Sequence, residues 1–278
     1  MTNPSQKRNV VLITGASSGI GKACATHLAH QGYHVYGTSR QRRPPNALFT
    51  MLQMDVREDD DVDAGVQEIL SREERLDVVI NNAGFGYSGA VEDTSVEEAR
   101  TMFETNLFGA LRVCHAVLPT MRAQGQGTLI NIGSIGGIIG LPYQGLYCAA
   151  KFALHGMTEA LRMEIKGLGL DINVVLVAPG DIRTDFPAHR QTTRATEQEG
   201  GSAYAAQHQR ARAAFEEDEL NGAEPSRVAQ IVGKIIQDPS PKARYLVGGF
   251  DEKLAAHLKP LLPPRLFDWI VMREYEIG

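Results

Sequence analysis

The sequence predicts an α/β fold in which a parallel sheet is covered by helices on both faces. Short apolar runs rich in Val, Ile and Leu alternate with longer amphipathic stretches along the 278 residues. The apolar runs lack strict polar–apolar alternation, which is typical of strands buried on both sides. The composition, 43% hydrophobic and 22% charged, suits a globular chain with one large core.

Seven strands and four helices follow from these patterns. The strands are expected at 9–14, 34–39, 48–56, 76–81, 127–134, 171–178 and 244–249. The first helix opens in "GIGKACATHLAHQG", with Gly32 as a stop signal. The others are expected at about 95–123, where "SVEE" can form a capping box, and at 147–167 and 225–237.

Two regions depart from this regularity within what we interpret as a single domain, 1–278. Residues 185–222 are polar and lack a clear apolar stripe. Because they follow the sixth strand, at the ligand edge of such a sheet, they form either a substrate lid or a solvated excursion. Residues 250–278 form a C-terminal extension after the seventh strand.

The extension contains a short apolar stripe of Leu266, Trp269, Ile270 and Arg273, at helical spacing after a proline-rich turn. The stripe could pack on its own domain, bury against a partner subunit or lie on a membrane surface. Flanking acidic residues disfavour the membrane. We hypothesise that the tail covers one edge of the substrate cleft.

Charge and hydropathy exclude several classes of function. A net charge of −5 and a pI near 5.9 give no footprint for nucleic acid. No run approaches the ~18 apolar residues of a membrane span, and the N-terminus shows no signal peptide. The three cysteines, Cys24, Cys114 and Cys148, are scattered. They indicate reduced thiols in a cytoplasmic protein and no metal site.

The motif "TGASSGIG" (14–21) places Gly15, Gly19 and Gly21 between the first strand and the first helix. Glycines there permit a tight turn and close approach of a pyrophosphate to the free N–H groups of a helix N-terminus. The alternative is a glycine-rich turn that only reverses the chain.

The second strand ends in "GTSRQRR", which bears on the type of cofactor. An acid at this position would bind the 2′-hydroxyl of NAD, whereas a cation would accommodate the 2′-phosphate of NADP. Ser39 and Arg40 stand there, with no acid nearby. We therefore expect NADP(H) rather than NAD(H), the alternative being a solvated basic turn.

The stretch "YCAAK" places Tyr147 and Lys151 on one helix face, roughly 5–6 Å apart. At that separation an ammonium favours the phenolate by roughly 3 kcal/mol, or about two pKa units. The pair could therefore exchange a proton near neutral pH. Taken alone, the motif is more often a surface Tyr beside a solvated Lys.

Taken together, "TGASSGIG", "NNAG" (81–84), Asn106, Ser134, "YCAAK" and "APG" (178–180) resemble the short-chain dehydrogenase/reductase family over roughly residues 8 to 250. The resemblance implies a seven-stranded Rossmann-like sheet, a small-molecule alcohol or ketone substrate, and a homodimer or homotetramer.

The resemblance also implies a role for each motif residue. Tyr147 is the general acid/base and Lys151 lowers its pKa and holds the nicotinamide ribose. Ser134 binds the substrate oxygen, and Asn106 holds a water that links Lys151 to solvent. The cofactor-binding set is Gly15, Ser17, Ser18, Gly19, Ile20, Gly21, Ser39, Arg40, Asp55, Val56, Asn81, Asn82, Ala83, Gly84, Tyr147, Lys151, Pro179, Gly180, Ile182 and Thr184.

Residues 136–165 are similar to the active-site stretch of 17β-hydroxysteroid and retinol dehydrogenases, which suggests a lipophilic secondary alcohol or ketone, although the polar segment 185–222 does not favour one. The predicted activity is NADP(H)-dependent hydride transfer. The alternative is a catalytically silent nucleotide-binding sensor or scaffold, which would be free to lose Tyr147 or Lys151. A sugar-nucleotide epimerase is disfavoured because those chains are usually longer.

Overall fold

A seven-stranded parallel sheet organises the chain. The structure is a computed structural model that describes residues 9–186, 190–198 and 200–277. The strands of this sheet are β1 (Val10–Ile13), β2 (His34–Ser39), β3 (Thr50–Gln53), β4 (Val78–Asn81), β6 (Gln126–Ile132), β7 (Asp171–Pro179) and β9 (Arg244–Val247). Their order is β3-β2-β1-β4-β6-β7-β9. The Rossmann-like fold expected from the sequence is confirmed.

The register brings the carboxyl ends of the central strands to one edge. Ile13 pairs with Ile80, and Asn81 with Asn131. The strand order reverses between β1 and β4, and ligands of open α/β sheets bind at such a switch point. The fold therefore directs the residues after these strands towards one cleft.

Helices cover both faces of the sheet, as the buried Val/Ile/Leu strands require. They are α1 (Gly19–His30), α2 (Asp59–Glu73), α3 (Val96–Phe103), α4 (Gly109–Gln124), α5 (Gly145–Gly167) and α8 (Pro225–Gln237). On one face α1 and α8 bury Leu28 and Val232. On the other, α2, α4 and α5 bury residues such as Val66, Val113 and Ile165.

The four helices expected from the sequence are present, with one interruption. The capping box of α3 forms between Ser95 and Glu98. The helix then continues through a π-helical turn, Glu104–Phe108, into α4. Such a turn accommodates one extra residue per turn and occurs often at functional sites. It holds Asn106, a predicted site residue.

The polar segment 185–222 contains regular elements that were not predicted from the sequence. This segment contains β8 (Gln191–Thr192), α6 (Arg194–Glu197) and α7 (Ala205–Asn221). β8 pairs with the short β5 (Tyr87–Ser88). α7 does carry a buried stripe, His208, Ala211 and Phe215. One member of this buried stripe is polar and another is small, so the sequence of the segment shows no clear apolar stripe.

The C-terminal extension forms α9 (Phe250–Leu258) and α10 (Pro264–Glu274). The expected turn and short helix are present, but two members of the expected apolar stripe, Leu266 and Trp269, face outward and are 45% and 56% exposed. Phe267 is buried instead, packed against Ile135, Ile139 and Ala256. Neither α9 nor α2 was predicted from the sequence.

The described part of the chain contains no helix that is both long and apolar enough to cross a membrane. The cysteines Cys24, Cys114 and Cys148 are free and buried.

Candidate active site

A cleft of about 1330 Å³ opens at the carboxyl edge of the sheet. Small-molecule sites usually occupy roughly 300–1,000 Å³, so this cleft has room for more than one ligand group. Its lining runs from the glycine loop, past Ser134 and Tyr147, to α7 and α10. We call residues 14–21 with 82–84 the glycine-loop wall.

The glycine-loop wall is built by close backbone contacts. Gly15 and Gly19 adopt positive φ values of 66° and 52°, which residues other than glycine rarely adopt. A Cβ on Gly21 would lie 2.4 Å from both the carbonyl oxygen of Gly15 and Nδ2 of Asn82. The loop therefore needs glycine at these positions for its own shape, which leaves main-chain N–H groups at the start of α1.

Asn82 ties this wall together. Its Nδ2 donates to the carbonyl oxygens of Thr14 and Gly15, at 2.9 and 3.1 Å. The hydroxyl of Thr14 accepts from the main-chain N–H groups of Asn82 and Ala83, at 2.9 and 3.0 Å. The ends of β1 and β4 are thereby fixed to each other, and this cradle fits a dinucleotide pyrophosphate.

Cations lie beyond the ends of β2 and β3. Ser39, Arg40 and Arg43 line the cleft there. Arg57, which was not predicted, donates to both carboxylate oxygens of Asp55, from Nε at 3.0 and 3.1 Å and from Nη2 at 2.6 Å. This ion pair holds the pKa of Asp55 below its usual range. In the described structure, basic side chains therefore outnumber acidic ones at this end of the cleft, which favours an anionic ligand group.

Ser134 and Tyr147 converge on the middle of the cleft. Ser134 follows β6 and Tyr147 lies in the first turns of α5. Burial raises the pKa of Tyr147 to about 12, and a hydrogen bond with the Ser134 hydroxyl partly opposes this shift. The phenol therefore holds its proton at neutral pH.

Lys151 lies one helical turn further along, with Nζ 5.9 Å from the centre of the Tyr147 ring. The ammonium donates to the carbonyl oxygen of Ile132 at 3.0 Å. Burial lowers the pKa of Lys151 to about 8. The spacing expected from "YCAAK" is present. The expected lowering of the tyrosine pKa is not, because burial of the phenol raises that pKa.

Asn106 lies behind the cleft and does not line it. Its Oδ1 accepts from the N–H of Phe85 at 3.0 Å, and its Nδ2 donates to the Phe85 carbonyl oxygen at 2.7 Å. A Cβ on Gly84 would approach Oδ1 of Asn106 to 2.6 Å and Nζ of Lys151 to 3.7 Å. Asn106 therefore fixes the chain that passes beside Lys151.

The structure brings most predicted site residues to the cleft lining. Three do not line it: Gly21, Asn81 and Asn106. Asn81 is buried in the sheet, where its Nδ2 donates to Oδ1 of Asn131 at 2.9 Å. Asn82, its neighbour, takes the position at the glycine loop.

The opposite side of the cleft consists of side chains, and we call Phe186, Arg190, Phe215 and Glu219 the Phe186 wall. The Phe186 ring lies 6.0 Å from the Tyr147 ring. Nη2 of Arg190 donates to Oε1 of Glu219, and the guanidinium stacks on Phe186 and Phe215, at 5.3 and 4.5 Å from the ring centres. None of these four residues was predicted individually.

Acidic residues surround the Phe186 wall. Asp181 follows β7, and its main-chain N–H donates to Oε1 of Glu252 at 2.5 Å. Burial and the neighbouring Glu252 raise the pKa of Asp181 to about 8. Burial also raises the pKa of Glu219, against the pull of Arg190.

The motif order and the cleft agree with a comparison to known families. The short chain dehydrogenase family model matches residues 9–195, well over half of the chain. The chain is a short-chain dehydrogenase. It is therefore an oxidoreductase of a family that binds NAD(P) and interconverts hydroxyl and keto groups.

Of three similar proteins, two match this short-chain dehydrogenase over nearly its whole length. A 3-ketodihydrosphingosine reductase from Bacteroides thetaiotaomicron is 41% identical over 268 residues, covering 96% of this chain and 98% of the relative. Human 17-beta-hydroxysteroid dehydrogenase type 1 is 37% identical over 196 residues, covering 64% of this chain and 58% of that protein. A short-chain dehydrogenase crystal structure from Streptomyces avermitilis superposes with a TM-score of 0.78 at 29% identity, covering 98% and 97% of the two chains.

One further residue of this short-chain dehydrogenase was missed, His155 on α5. Its Nε2 accepts from the N–H of Ser134 at 3.4 Å. Burial, with the nearby Lys151, lowers the pKa of His155 to about 4. The neutral ring packs against Gly133 and Gly137, where a Cβ would come within 2.3 and 2.5 Å of it. The signal was its place four residues after Lys151, on the same helix face.

Proposed function

We propose that the protein catalyses NADP(H)-dependent interconversion of a ketone and a secondary alcohol, with Tyr147 as the general acid/base. The observation that carries the proposal is the convergence of the Ser134 and Tyr147 hydroxyls on the cleft, with Lys151 one turn behind. Two hydroxyl donors at one carbonyl oxygen polarise it, as hydride transfer requires.

The protonation states favour ketone reduction near neutral pH. Because burial raises the pKa of Tyr147 to about 12, the phenol is a proton donor there. Ser134 shares the substrate oxygen, and Lys151, whose pKa is lowered to about 8, keeps its charge below that pH. His155 and Asn106 position Ser134 and the chain beside Lys151. The bound nicotinamide would supply the hydride.

The cofactor-binding residues are proposed on the same basis. The main-chain N–H groups at Ser17–Ile20 would hold the pyrophosphate, since the glycines leave no side chain in the way. Arg40 and Ser39 would bind the 2′-phosphate of NADP. The pairing of Asp55 with Arg57 supports this, because it neutralises a carboxylate that lines the same cleft.

The substrate we propose is a lipophilic ketone. Beyond Tyr147 the cleft lining includes eight apolar side chains among its charged ones: Ile135, Ile139, Leu141, Phe186, Phe215, Phe267, Ile270 and Val271. A long-chain ketone of the kind named in the 3-ketodihydrosphingosine reductase has more support than a steroid, since that relative matches almost the whole chain. The described parts of residues 185–222, which include α7, and α10 of the tail would close the cleft over it.

The test is a turnover screen of lipophilic ketones with NADPH, followed at the nicotinamide absorbance band. We expect 3-ketodihydrosphingosine to be reduced and Tyr147→Phe to lower kcat by roughly 10²–10⁴. NADPH affinity should change little, because the phenolic proton serves chemistry and not phosphate binding. A Tyr147→Phe enzyme that retains more than a tenth of kcat would contradict the assignment.

A further inference from the structure

The Arg190–Glu219 ion pair lies on the substrate side of the cleft and is almost fully buried. The side chains of Arg190 and Glu219 are 2% and 12% exposed. Both residues line the cleft that also contains Tyr147. Neither residue belongs to the motifs that carry the family resemblance.

Each side chain of this pair has one polar atom without a hydrogen-bond partner among the described residues. Within the part of the chain that the structure describes, Nη1 of Arg190 and Oε2 of Glu219 have no hydrogen-bond partner. Buried polar atoms are nearly always satisfied by protein, water or ligand. The buried pair therefore keeps one donor atom and one acceptor atom without a partner in the described structure.

Aromatic rings fix the position of this donor–acceptor pair. The guanidinium lies over Phe186 and Phe215, and Phe186 in turn contacts Tyr147. A single aromatic side chain thus separates the pair from the phenol. A ligand with its carbonyl at Tyr147 would reach the pair by passing along the Phe186 ring.

The chemistry of the pair selects among ligand groups. A hydroxyl accepts one hydrogen bond and donates another, so it satisfies both atoms. A carboxylate or phosphate only accepts, and an ammonium only donates. Asp251, Glu252 and Glu274 line the same cleft and disfavour an anionic ligand.

We propose that Arg190 and Glu219 form a hydroxyl-recognition subsite, so that the preferred substrate is a neutral or cationic ketone carrying a hydroxyl group remote from Tyr147. This inference rests on the proposed ketone reduction and narrows its substrate class. The competing role is a purely structural ion pair that anchors α7 to residue 190. That role predicts no dependence on a hydroxyl of the ligand.

Binding can be tested apart from turnover. The probes are a long-chain ketone whose hydroxyl lies at least the length of an aromatic ring from its carbonyl, and the matched ketone that lacks this hydroxyl. Both are titrated by calorimetry into the full-length protein with saturating NADP⁺, where no hydride is available to the ketone. We expect the hydroxyl-bearing ketone to bind roughly tenfold or more tightly, since the pair is charged and buried. Equal affinity of the wild-type protein for the two ketones would overturn the subsite.

Variants sharpen the test. The double change Arg190→Met/Glu219→Leu replaces the ion pair by apolar groups of similar size, which proteins often tolerate. It should bind both ketones alike. Arg212→Met/Glu216→Leu, a pair on α7 outside the cleft lining, is the matched control and should keep the wild-type preference. A double variant that folds and keeps the preference would also refute the subsite.

The two proposals fail in different ways. Discrimination in the calorimeter without turnover under NADPH would leave the subsite standing and refute the proposed reduction. Turnover of both ketones with equal affinity and equal kcat/KM would support the reduction and refute the subsite.

Discussion

At the start of α1 the cleft is bounded by main chain, whereas across from it, at the Phe186 wall, it is bounded by charged and aromatic side chains. The glycine-loop wall is held by hydrogen bonds among Thr14, Gly15 and Asn82, all within two strand ends. The Phe186 wall takes Phe186, Arg190 and Glu219 from separate places after β7. A wall built from main chain suits a part of the ligand that is the same in every reaction. A wall built from side chains suits a part that differs between substrates.

The first prediction concerns a substitution that disrupts the glycine-loop wall. Gly21→Ala places a methyl group 2.4 Å from the Gly15 carbonyl oxygen. Overpacking of this kind typically costs about 1–3 kcal/mol, so we expect that loss in urea unfolding and roughly ten- to hundredfold weaker NADPH binding. Gly167→Ala on α5, where a Cβ meets nothing within 4 Å, is the control and should leave both quantities near wild type. NADPH affinity unchanged by Gly21→Ala would show that the loop does not hold the cofactor.

The second prediction concerns the cations that follow β2, next to the glycine-loop wall. Arg40→Ala should weaken NADPH binding by roughly tenfold or more, because it removes a hydrogen bond to a charged group. Arg42→Ala, which removes a charge outside the cleft lining, should have little effect. Ser39→Asp should shift the preference towards NADH. Equal affinity of the wild-type protein for NADH and NADPH would refute the assignment.

The third prediction uses the acid cluster beside the Phe186 wall. The pKa of Asp181 is raised from 3.8 to about 8, so the folded state binds a proton more tightly than the unfolded chain. This contribution to stability is complete below pH 3.8 and is lost as the pH rises through 8. Between those values we expect Asp181→Asn to remove a slope of about 1.4 kcal/mol per pH unit from the unfolding free energy.

Urea unfolding at pH 5, 6 and 7 measures this slope in the wild type and in Asp181→Asn. Asp268→Asn, an exposed acid on α10, is the control and should keep the wild-type slope. Identical slopes in all three proteins would mean that Asp181 ionises as freely in the folded protein as in the unfolded chain.

The fourth prediction has the smallest effect and concerns the tail. Ile270 lines the cleft and its neighbour Trp269 does not, although both are exposed on α10. Ile270→Ala should raise KM for a lipophilic ketone by roughly three- to tenfold, as expected for the loss of partly buried methylene contacts. NADPH affinity should be unchanged, and Trp269→Ala should leave KM alone. Equal effects of the two substitutions on KM would indicate that the tail only supports the fold.

The two walls were not equally predictable from the sequence. The glycine loop, Asn82 and the Tyr147–Lys151 pair could be found because each is local: the residues that cooperate lie within a few positions or follow consecutive strands. Arg190 and Glu219 could not, because only folding brings them together from 29 residues apart. The pKa of Tyr147 was predicted in the wrong direction, since a sequence spacing reports a neighbouring charge but not the depth of burial.

Helix packing has a consequence for how the molecule folds. Part of the buried surface of α1 depends on α8, because Cys24 and Leu28 share a core cluster with Val228 and Val232 of that helix. During synthesis, the first helix therefore exposes these residues until some 200 further residues have been made. Such long-range closure slows folding and leaves a nascent chain prone to association. The oldest part of the nascent chain, which includes the glycine loop, is thus among the last to be completed.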